Sequence, residues 1–180
     1  LQGSAKVTLN IAAGDLWGLV ILPEVINSFA EHHKDALVRF DVIENDTRFE
    51  ALRNGVYDMV FGTPLDDYEA MAPMEFTPLV RQGTFIYCDR SHPLVGAANP
   101  GVAEFSRYSW VSHGFDDEGG SLRHGAARNY AVRADTTMQA LLLMRGSNLL
   151  TAASSGFSTL FQQFGVVQIG VDQDSDVVES

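Results

Sequence analysis

The chain has 180 residues, 46% of them hydrophobic and 19% charged, so it can bury a core as one domain or as two small lobes around one ligand cleft. Its formal net charge of −11 disfavours nucleic-acid binding by this segment, because that binding depends on Lys and Arg side chains that release counterions. No apolar run approaches the roughly 18 to 20 residues that a transmembrane helix needs, which excludes a membrane span.

Strand and helix signals alternate along the chain and favour an α/β fold with largely parallel strands. The strand signals are short apolar or alternating runs bounded by turn residues. Strands are expected at Val7–Ala12, Val38–Ile43, Met59–Phe61, within Phe76–Arg90, and at Ser109–Ser112, Ala131–Ala134, Leu149–Ala153 and Val166–Val171.

The helix signals are apolar residues three or four positions apart and polar residues suited to capping. Leu22, Val25, Ile26 and Phe29 predict one helix with this face buried, and other helices are expected at Thr47–Asn54, Ser121–Tyr130, Met138–Arg145 and Phe157–Phe164. Gly55 can take the left-handed conformation that closes a helix. Turns or loops are expected at Gly14–Gly18, Thr63–Tyr68 and Phe115–Gly120.

Several elements follow one another in an order that is typical of one family. They are a first strand at Val7–Ala12, a helix that enters through Leu22-Pro23 and runs past Phe29, a second strand at Val38–Ile43, a helix that ends in Leu52–Gly55, the G-x-x-D-hydrophobic strand Gly55–Phe61, His92-Pro93-Leu94, and a helix-to-strand element at Leu141–Ala153. In this order they resemble the effector-binding domain of LysR-type transcriptional regulators, over nearly the whole chain. The resemblance implies an α/β fold with two Rossmann-like lobes joined by two crossover strands, of the type 2 periplasmic-binding-protein kind.

The resemblance also implies the domain boundaries. Lobe I is expected at residues 1–62 and 165–180, and lobe II at residues 63–164. The helix-turn-helix DNA-binding domain of such regulators is absent from this chain, which begins without a start methionine or signal-peptide pattern and is expected to be a fragment or mature piece. Relatives normally continue with a further strand and a closing helix, so lobe I is expected to be incomplete.

Residues with catalytic or metal-binding potential are few. The chain lacks the dinucleotide, Walker, zinc-protease and nucleophile-elbow motifs. The histidines (His32, His33, His113, His124) lack the spacing of a zinc set, and the acidic groups Asp66-Asp67 and Asp116-Asp117-Glu118 are interpreted as solvated loop charge. Cys88 is the single cysteine, so no internal disulfide is expected, and a buried position is favoured over a reactive one. We therefore expect no catalytic residue, metal or cofactor.

An open α/β sheet binds ligands outside the carboxyl ends of its strands, where the N-termini of helices point their free N–H groups. Three strand-to-helix junctions are expected there: Gly14–Trp17, Asn45–Thr47 and Ala134–Thr136. As an alternative, Asp15, Asp46 and Asp135 are only helix N-caps, each stabilising its helix by roughly 1 kcal/mol.

The resemblance implies ligand-binding roles for the residues of this chain that match the family's ligand-binding positions. It implicates Asp15, Asn45, Thr63, Ser112, Ala134 and Thr136, with Leu16, Trp17 and Val132 as apolar walls and Thr47 as the alternative to Asn45. Trp17 can stack on a ligand ring or fill the core. Relatives often carry Ser or Thr at the position of Asp15, and a carboxylate there opposes an anionic ligand. We therefore expect an effector that is not a simple carboxylate and that carries an amine or hydroxyl facing Asp15.

These observations leave three functions open. The first is a cytoplasmic sensory domain that binds a small-molecule effector, forms a homodimer or homotetramer with a contribution from the Leu22–Phe29 helix, and contacts DNA only through the absent N-terminal domain. The second is a periplasmic solute-binding protein of a transporter, which would need a signal peptide. The third is an enzyme on a two-lobed scaffold, which is disfavoured because the sequence offers no nucleophile with a base. No membrane partner is expected.

Overall fold

The computed structural model describes residues 7–43, 45–63, 74–113 and 127–179, with the side chains of 45, 46 and 173–179 excepted. The chain divides into two compact units, Leu1–Val80 with Val178–Ser180 (unit 1) and Arg81–Val177 (unit 2). Each unit combines a sheet with helices, which confirms the mixed α/β prediction. The predicted lobe boundaries, residues 1–62 with 165–180 and residues 63–164, stay a prediction.

Unit 1 is built on a three-stranded parallel sheet. Its strands are β1 (Val7–Ala13), β2 (Ala36–Val42) and β3 (Met59–Phe61), in the order β2-β1-β3. These bounds agree with the predicted strands to within two residues. Because all three strands run in the same direction, their carboxyl ends meet at one edge of the sheet.

Two helical segments connect these strands. The first is helical from Asp15, widens to a π-helix at Trp17–Ile21, and continues as α1 (Leu22–His32). The predicted turn at Gly14–Gly18 is therefore wrong. The π-turn has a local cause, since the ring of Pro23 crowds the carbonyl four residues earlier and Pro23 supplies no N–H. The wider turn is closed by the Leu22 N–H, which donates to the carbonyl of Trp17.

The second helix, α2 (Asn45–Arg53), ends as the sequence predicts. Gly55 follows it with a φ of +72°, a conformation that a side chain would strain. The Gly55 N–H donates to Leu52 O and the Val56 N–H donates to Ala51 O, so these two carbonyls in the last turn of α2 are satisfied.

The core of unit 1 lies between this sheet and the first helical segment. Its buried members are Ile11, Ala13, Trp17 and Leu22, with Leu9, Ile21, Ile26, Val38, Phe40, Phe61 and Val80 packed against them. The prediction of a fully buried helix face is wrong at Val25, which is 56% exposed. The π-turn brings Trp17 and Leu22, five residues apart, onto the same buried face.

Unit 2 is built on a five-stranded mixed sheet in the order β6-β5-β7-β4-β8. The strands are β4 (Val80–Asp89), β5 (Trp110–His113), β6 (Tyr130–Ala134), β7 (Leu150–Ser154) and β8 (Val166–Glu179). Strand β5 is parallel to β6 and β7, and β4 is antiparallel to β7. The predicted strands are all found, with β8 longer than expected.

The helices of unit 2 are α3 (Val102–Phe105), α4 (Thr137–Met144) and α5 (Ser158–Gln163), with a 3-10 turn at Ser155–Phe157. The helix predicted at Ser121–Tyr130 is wrong in its described part, because Tyr130 begins β6 and Trp110 N–H donates to Asn129 O. The predicted loops beyond Thr63 and at Phe115–Gly120, the two acidic groups and His124 lie outside the described residues.

A buried ion pair joins the start of β6 to β8. The side chains of Arg128 and Asp172 are 4% and 2% exposed, and Nη2 of Arg128 donates to Oδ2 of Asp172. The guanidinium also donates to the hydroxyl of Tyr130 at 3.1 Å and lies 4.9 Å from the ring centre of Trp110. Its charge is thus compensated by one carboxylate, one hydroxyl and one aromatic face.

The His92-Pro93-Leu94 motif forms a turn after β4 that Asp89 organises. The carboxylate of Asp89 accepts from the N–H and the hydroxyl of Ser91, at 2.8 and 2.6 Å, and from Gly146 N–H at 2.9 Å. His92 is buried, and its Nδ1 accepts from Leu94 N–H at 3.1 Å. The motif is therefore accounted for by local structure.

These hydrogen bonds give the stability of the chain a dependence on pH. They lower the pKa of Asp89 from 3.8 to about 2, with the Ser91 hydroxyl as the largest cause. The stabilisation is present above pH 4 and is lost as the pH falls towards 2. We expect Asp89→Asn to cost about 1–2 kcal/mol at pH 7 and much less at pH 2.5. Urea unfolding at both pH values measures this, with Glu50→Gln as an exposed control; an equal cost at both would contradict it.

Candidate functional site

The first polar cluster lies at the carboxyl edge of the unit 1 sheet. Gly14, Ile43 and Gly62 are the residues that follow β1, β2 and β3. The Gly14 N–H donates to Phe61 O at 3.0 Å and the Ile43 N–H donates to Ala13 O at 3.1 Å, so the three strand ends are held together. The structure thus brings the predicted Gly14–Trp17 and Asn45–Thr47 junctions to the same edge.

A buried arginine that the sequence analysis missed lies across these strand ends. Arg48, in the first turn of α2, is 3% exposed and donates from Nη1 to Ile43 O at 3.0 Å. A Cβ atom at Gly14 would lie 2.9 Å from its Nη1, and one at Gly62 would lie 2.3 Å from its Nη2. The two glycines therefore make room for the guanidinium. The sequence signal that could have indicated this arginine site is a glycine directly after each of two parallel strands.

The three predicted residues that follow β1 lie at the start of the first helical segment. Asp15 is half-buried, whereas Leu16 and Trp17 are 6% and 3% exposed. The ring of Trp17 packs on Phe61 with 5.1 Å between ring centres. Trp17 thus belongs to the core of unit 1, and its Nε1 is buried with no hydrogen-bond partner among the residues that the structure describes.

The other predicted residues of unit 1 lie near the same edge. Thr47 is exposed in the first turn of α2, and Thr63 is exposed just after β3. Asn45 begins α2, but its side chain is outside the described part. Both described hydroxyls are therefore open to solvent.

In unit 2 the corresponding edge is formed by the parallel strands β5, β6 and β7, which end at His113, Ala134 and Ser154. Of the predicted residues, Ser112 and Ala134 are buried, Val132 is half-buried and Thr136 is exposed. They lie on adjacent strands or at the helix start that follows β6, so the structure brings them to one edge.

Thr136 is the residue that caps α4. Its hydroxyl accepts from Gln139 N–H at 3.2 Å, while Gln139 Oε1 accepts from the N–H groups of Asp135 and Thr136. The alternative assignment of the cap to Asp135 is therefore wrong. A reciprocal Thr-x-x-Gln pair satisfies the free helix donors better than the carboxylate one residue earlier.

This capping arrangement predicts a difference between neighbouring substitutions. Thr136→Ala is expected to lower the free energy of unfolding by about 1 kcal/mol, because the Gln139 N–H loses its acceptor. Asp135→Ala keeps both backbone bonds to Gln139 and is expected to change stability by less than about 0.5 kcal/mol. Chemical denaturation of the two variants checks this; a greater loss from Asp135→Ala would refute the assignment.

His113 contacts both β7 and the start of α4 at this edge. Its Nε2 lies 2.9 Å from Ala152 O and its Nδ1 lies 3.0 Å from the hydroxyl of Thr137. A neutral imidazole satisfies both contacts if Nε2–H donates to the carbonyl and Nδ1 accepts from the hydroxyl. His113 is thus a positioning residue for the start of α4.

A second group that the sequence analysis missed lies beside the end of β7. Gln82 Oε1 is 2.5 Å from the hydroxyl of Ser155 and 3.4 Å from that of Ser154. Ser154 also accepts from Gly156 N–H at 3.4 Å. Only the pairing of β4 with β7 brings these residues together, and the sequence carries no local signal of it.

Reactive groups are scarce among the residues that the structure describes. In that part of the chain, no group of three or more His, Cys, Asp or Glu side chains could hold a metal ion. Cys88 is fully buried, and desolvation raises the pKa of its thiol to about 12. His32 and His33 are exposed at the end of α1. Across the same described ranges, no helix is long and apolar enough to cross a membrane.

Comparison with known proteins identifies the family. The model described as "LysR substrate binding domain" matches residues 2–157. The comparison with curated proteins gave no match. A solved structure of a probable transcriptional regulator from Pseudomonas aeruginosa is 19% identical, with a TM-score of 0.76, and the match covers 99% of this chain and 62% of that one.

Two further solved structures are similar. The effector binding domain of QuiR in complex with shikimate is 14% identical, with a TM-score of 0.74 and coverage of 97% of this chain and 85% of that one. Full-length CbnR complexed with its target DNA is 13% identical, with a TM-score of 0.69 and coverage of 96% and 61%. This chain thus spans less than two thirds of CbnR and of the Pseudomonas regulator.

The fold defines a two-unit α/β domain of the periplasmic-binding-protein-like kind. The chain belongs to the LysR substrate binding domain family, since the family model matches most of its length. This confirms the resemblance read from the sequence motifs. The family is one of transcriptional regulators, which are not enzymes, and nothing in these comparisons supports the transporter alternative.

Proposed function

We propose that this chain is the part of a LysR-type regulator that binds a small-molecule effector through the polar groups at the carboxyl edges of its sheets. The observation that carries this proposal is the grouping of the predicted residues at those edges: Asp15, Leu16, Trp17, Asn45, Thr47 and Thr63 in unit 1, and Ser112, Val132, Ala134 and Thr136 in unit 2. Parallel α/β sheets bind ligands at this edge.

The effector acts by shifting a conformational equilibrium. A ligand that binds two conformations equally shifts nothing, so the effector must bind one conformation better than the other. DNA contact is made by a separate N-terminal domain, since this segment has 23 acidic and 12 basic side chains. The protein acts in the cytoplasm and makes or breaks no bond.

A homodimer or homotetramer is part of this proposal, and an open groove along α1 supports it. The groove has a volume of about 670 Å³ and is lined by Val20, Ile21, Glu24, Val25, Ser28, Phe29, His32 and His33. The exposed Val25 and the partly buried Phe29 give it an apolar floor. A second copy of the chain would bury these side chains.

The carboxylate of Asp15 affects which charge the effector carries. A carboxylate at the start of a helix competes with an anionic ligand for the same N–H groups, although Arg48 at the same edge acts in the opposite direction. We expect Asp15→Ser to increase the affinity for benzoate and to weaken binding of benzylamine. Calorimetric titration of both compounds checks this, and a benzoate affinity unchanged by the substitution would count against a role for Asp15.

Thermal unfolding against a panel of amino acids, aromatic acids, hydroxy acids and amines tests the proposed function. A ligand at about 100 times its dissociation constant should add roughly 2.7 kcal/mol to the stability of the folded chain. Light scattering on each stabilised sample then measures the oligomeric state. Stabilisation of a dimer is expected, whereas a folded monomer that no compound stabilises would contradict both parts of the proposal.

A further inference from the structure

The side chain of Gln82 occupies a position that can reach a ligand. Strand β4 is antiparallel to β7, with Thr84 paired to Ser154, so Gln82 lies just beyond the carboxyl end of β7. It is half-buried, and therefore part of its side chain is open to solvent. This is the edge at which β5 and β6 also end, and where unit 2 carries the predicted ligand-binding residues.

Two serines fix the orientation of the Gln82 amide. The group that faces both hydroxyls is the amide oxygen Oε1, which accepts from Ser155 and, at 3.4 Å, from Ser154. This arrangement gives each hydroxyl an acceptor, and Ser154 Oγ already accepts from the Gly156 N–H. The amide nitrogen then points away from both serines.

The amide nitrogen is left with two N–H donors. No residue that the structure describes accepts a hydrogen bond from Nε2 of Gln82, whereas both hydroxyls beside it already have partners. The described side chains that contact the Gln82 amide are the hydroxyls of Ser154 and Ser155, which carry no formal charge. Discrimination by this amide therefore depends on hydrogen bonding.

We propose that Gln82 is a specificity-determining residue that donates from Nε2 to a hydrogen-bond acceptor on the effector, such as a carboxylate, carboxamide or ring carbonyl. This inference rests on the proposed function and adds the chemical class of the group bound by unit 2. An effector without an acceptor leaves the two donors unpaired when it excludes water, and is rejected for that reason.

The main probes of the test are three benzene derivatives that differ only in the substituent offered to the Gln82 amide. Benzoate, benzamide and benzylamine are titrated into the wild-type chain, Gln82→Met and Gln82→Glu, together with shikimate as a hydroxylated carboxylate. Gln82→Met removes the donors at similar volume, and Gln82→Glu replaces them with an acceptor while both serines keep theirs. Gln163→Glu, on the exposed face of α5, adds the same charge away from the site and is the matched control.

The expected result is that the preference among the probes changes with the residue at position 82. Gln82→Met should weaken the acceptor-bearing probes by about 5- to 10-fold, and Gln82→Glu should weaken benzoate further while it strengthens benzylamine. Gln163→Glu should leave all affinities unchanged. Equal affinities in the wild type and both Gln82 variants would overturn the assignment and leave the proposed function standing. Failure of every probe and every panel compound to bind the folded wild type would instead overturn the proposed function, and this assignment with it.

Discussion

Replacement of Arg128 by methionine is expected to lower the free energy of unfolding by about 3–5 kcal/mol. The substitution leaves the carboxylate of Asp172, which is 2% exposed, buried without its counter-charge. It also removes the donor to Tyr130 and the cation above Trp110. Guanidinium chloride unfolding followed by circular dichroism measures the loss. A buried charge without a partner costs more than the pair contributes, so this is the largest effect that we predict.

The double variant Arg128→Met/Asp172→Leu separates the two contributions. Because it removes both charges and keeps an apolar volume, it should recover most of the stability that the single variant loses. Arg145→Met, at an exposed position after α4, is the control and should change stability by less than about 0.5 kcal/mol. A double variant as unstable as the single one would show that packing on Trp110, and not the unpaired charge, dominates.

Gly62→Ala is expected to cost about 2–3 kcal/mol, in the upper part of the range for overpacking a core. The new methyl group would lie 2.3 Å from Nη2 and 2.8 Å from Cζ of Arg48, so the guanidinium must leave its place. It would then lose its hydrogen bond to Ile43 O, and the strand ends of unit 1 would lose a shared contact. Urea unfolding gives the magnitude.

The same substitution in an Arg48→Ala background shows whether Arg48 is the cause. With the guanidinium absent, Gly62→Ala should cost less than about 1 kcal/mol, so the two substitutions should be strongly non-additive. Gly83→Ala is a matched control in a strand, because its Cβ would meet Phe85 at an ordinary 3.4 Å. Additive costs of Gly62→Ala and Arg48→Ala would refute the steric explanation.

Most of the architecture could be predicted from the sequence because its signals are local. Apolar runs such as Met59–Phe61 and Leu149–Ala153 identify strands within a few residues, and Gly55 marks a helix end through its own backbone preference. The order of the motifs predicts the family, because it combines several such local signals. Confirmed predictions therefore concern residues whose roles are decided by near neighbours.

The missed residues are those whose roles depend on distant contacts. Arg48 is significant because Gly14 and Gly62 flank it in space, and Gln82 because β4 pairs with β7. In sequence, Arg48 is an ordinary charge in a helix and Gln82 an ordinary polar residue in a strand. The wrong prediction of a turn at Gly14–Gly18 has a different origin, because these glycines favour a turn that the packing of Trp17 in the core overrides.

The π-turn at Trp17–Ile21 has a consequence for the alignment of this chain with other members of its family. It contains one residue more than the same stretch of regular α-helix, and this surplus is inserted after Asp15 and before Pro23. In a relative whose helix is regular, a correct alignment needs a one-residue gap within this turn. An ungapped alignment that is in register from Leu22 onwards would pair Asp15 with the neighbour of its true counterpart, and would transfer a ligand contact to the wrong side chain.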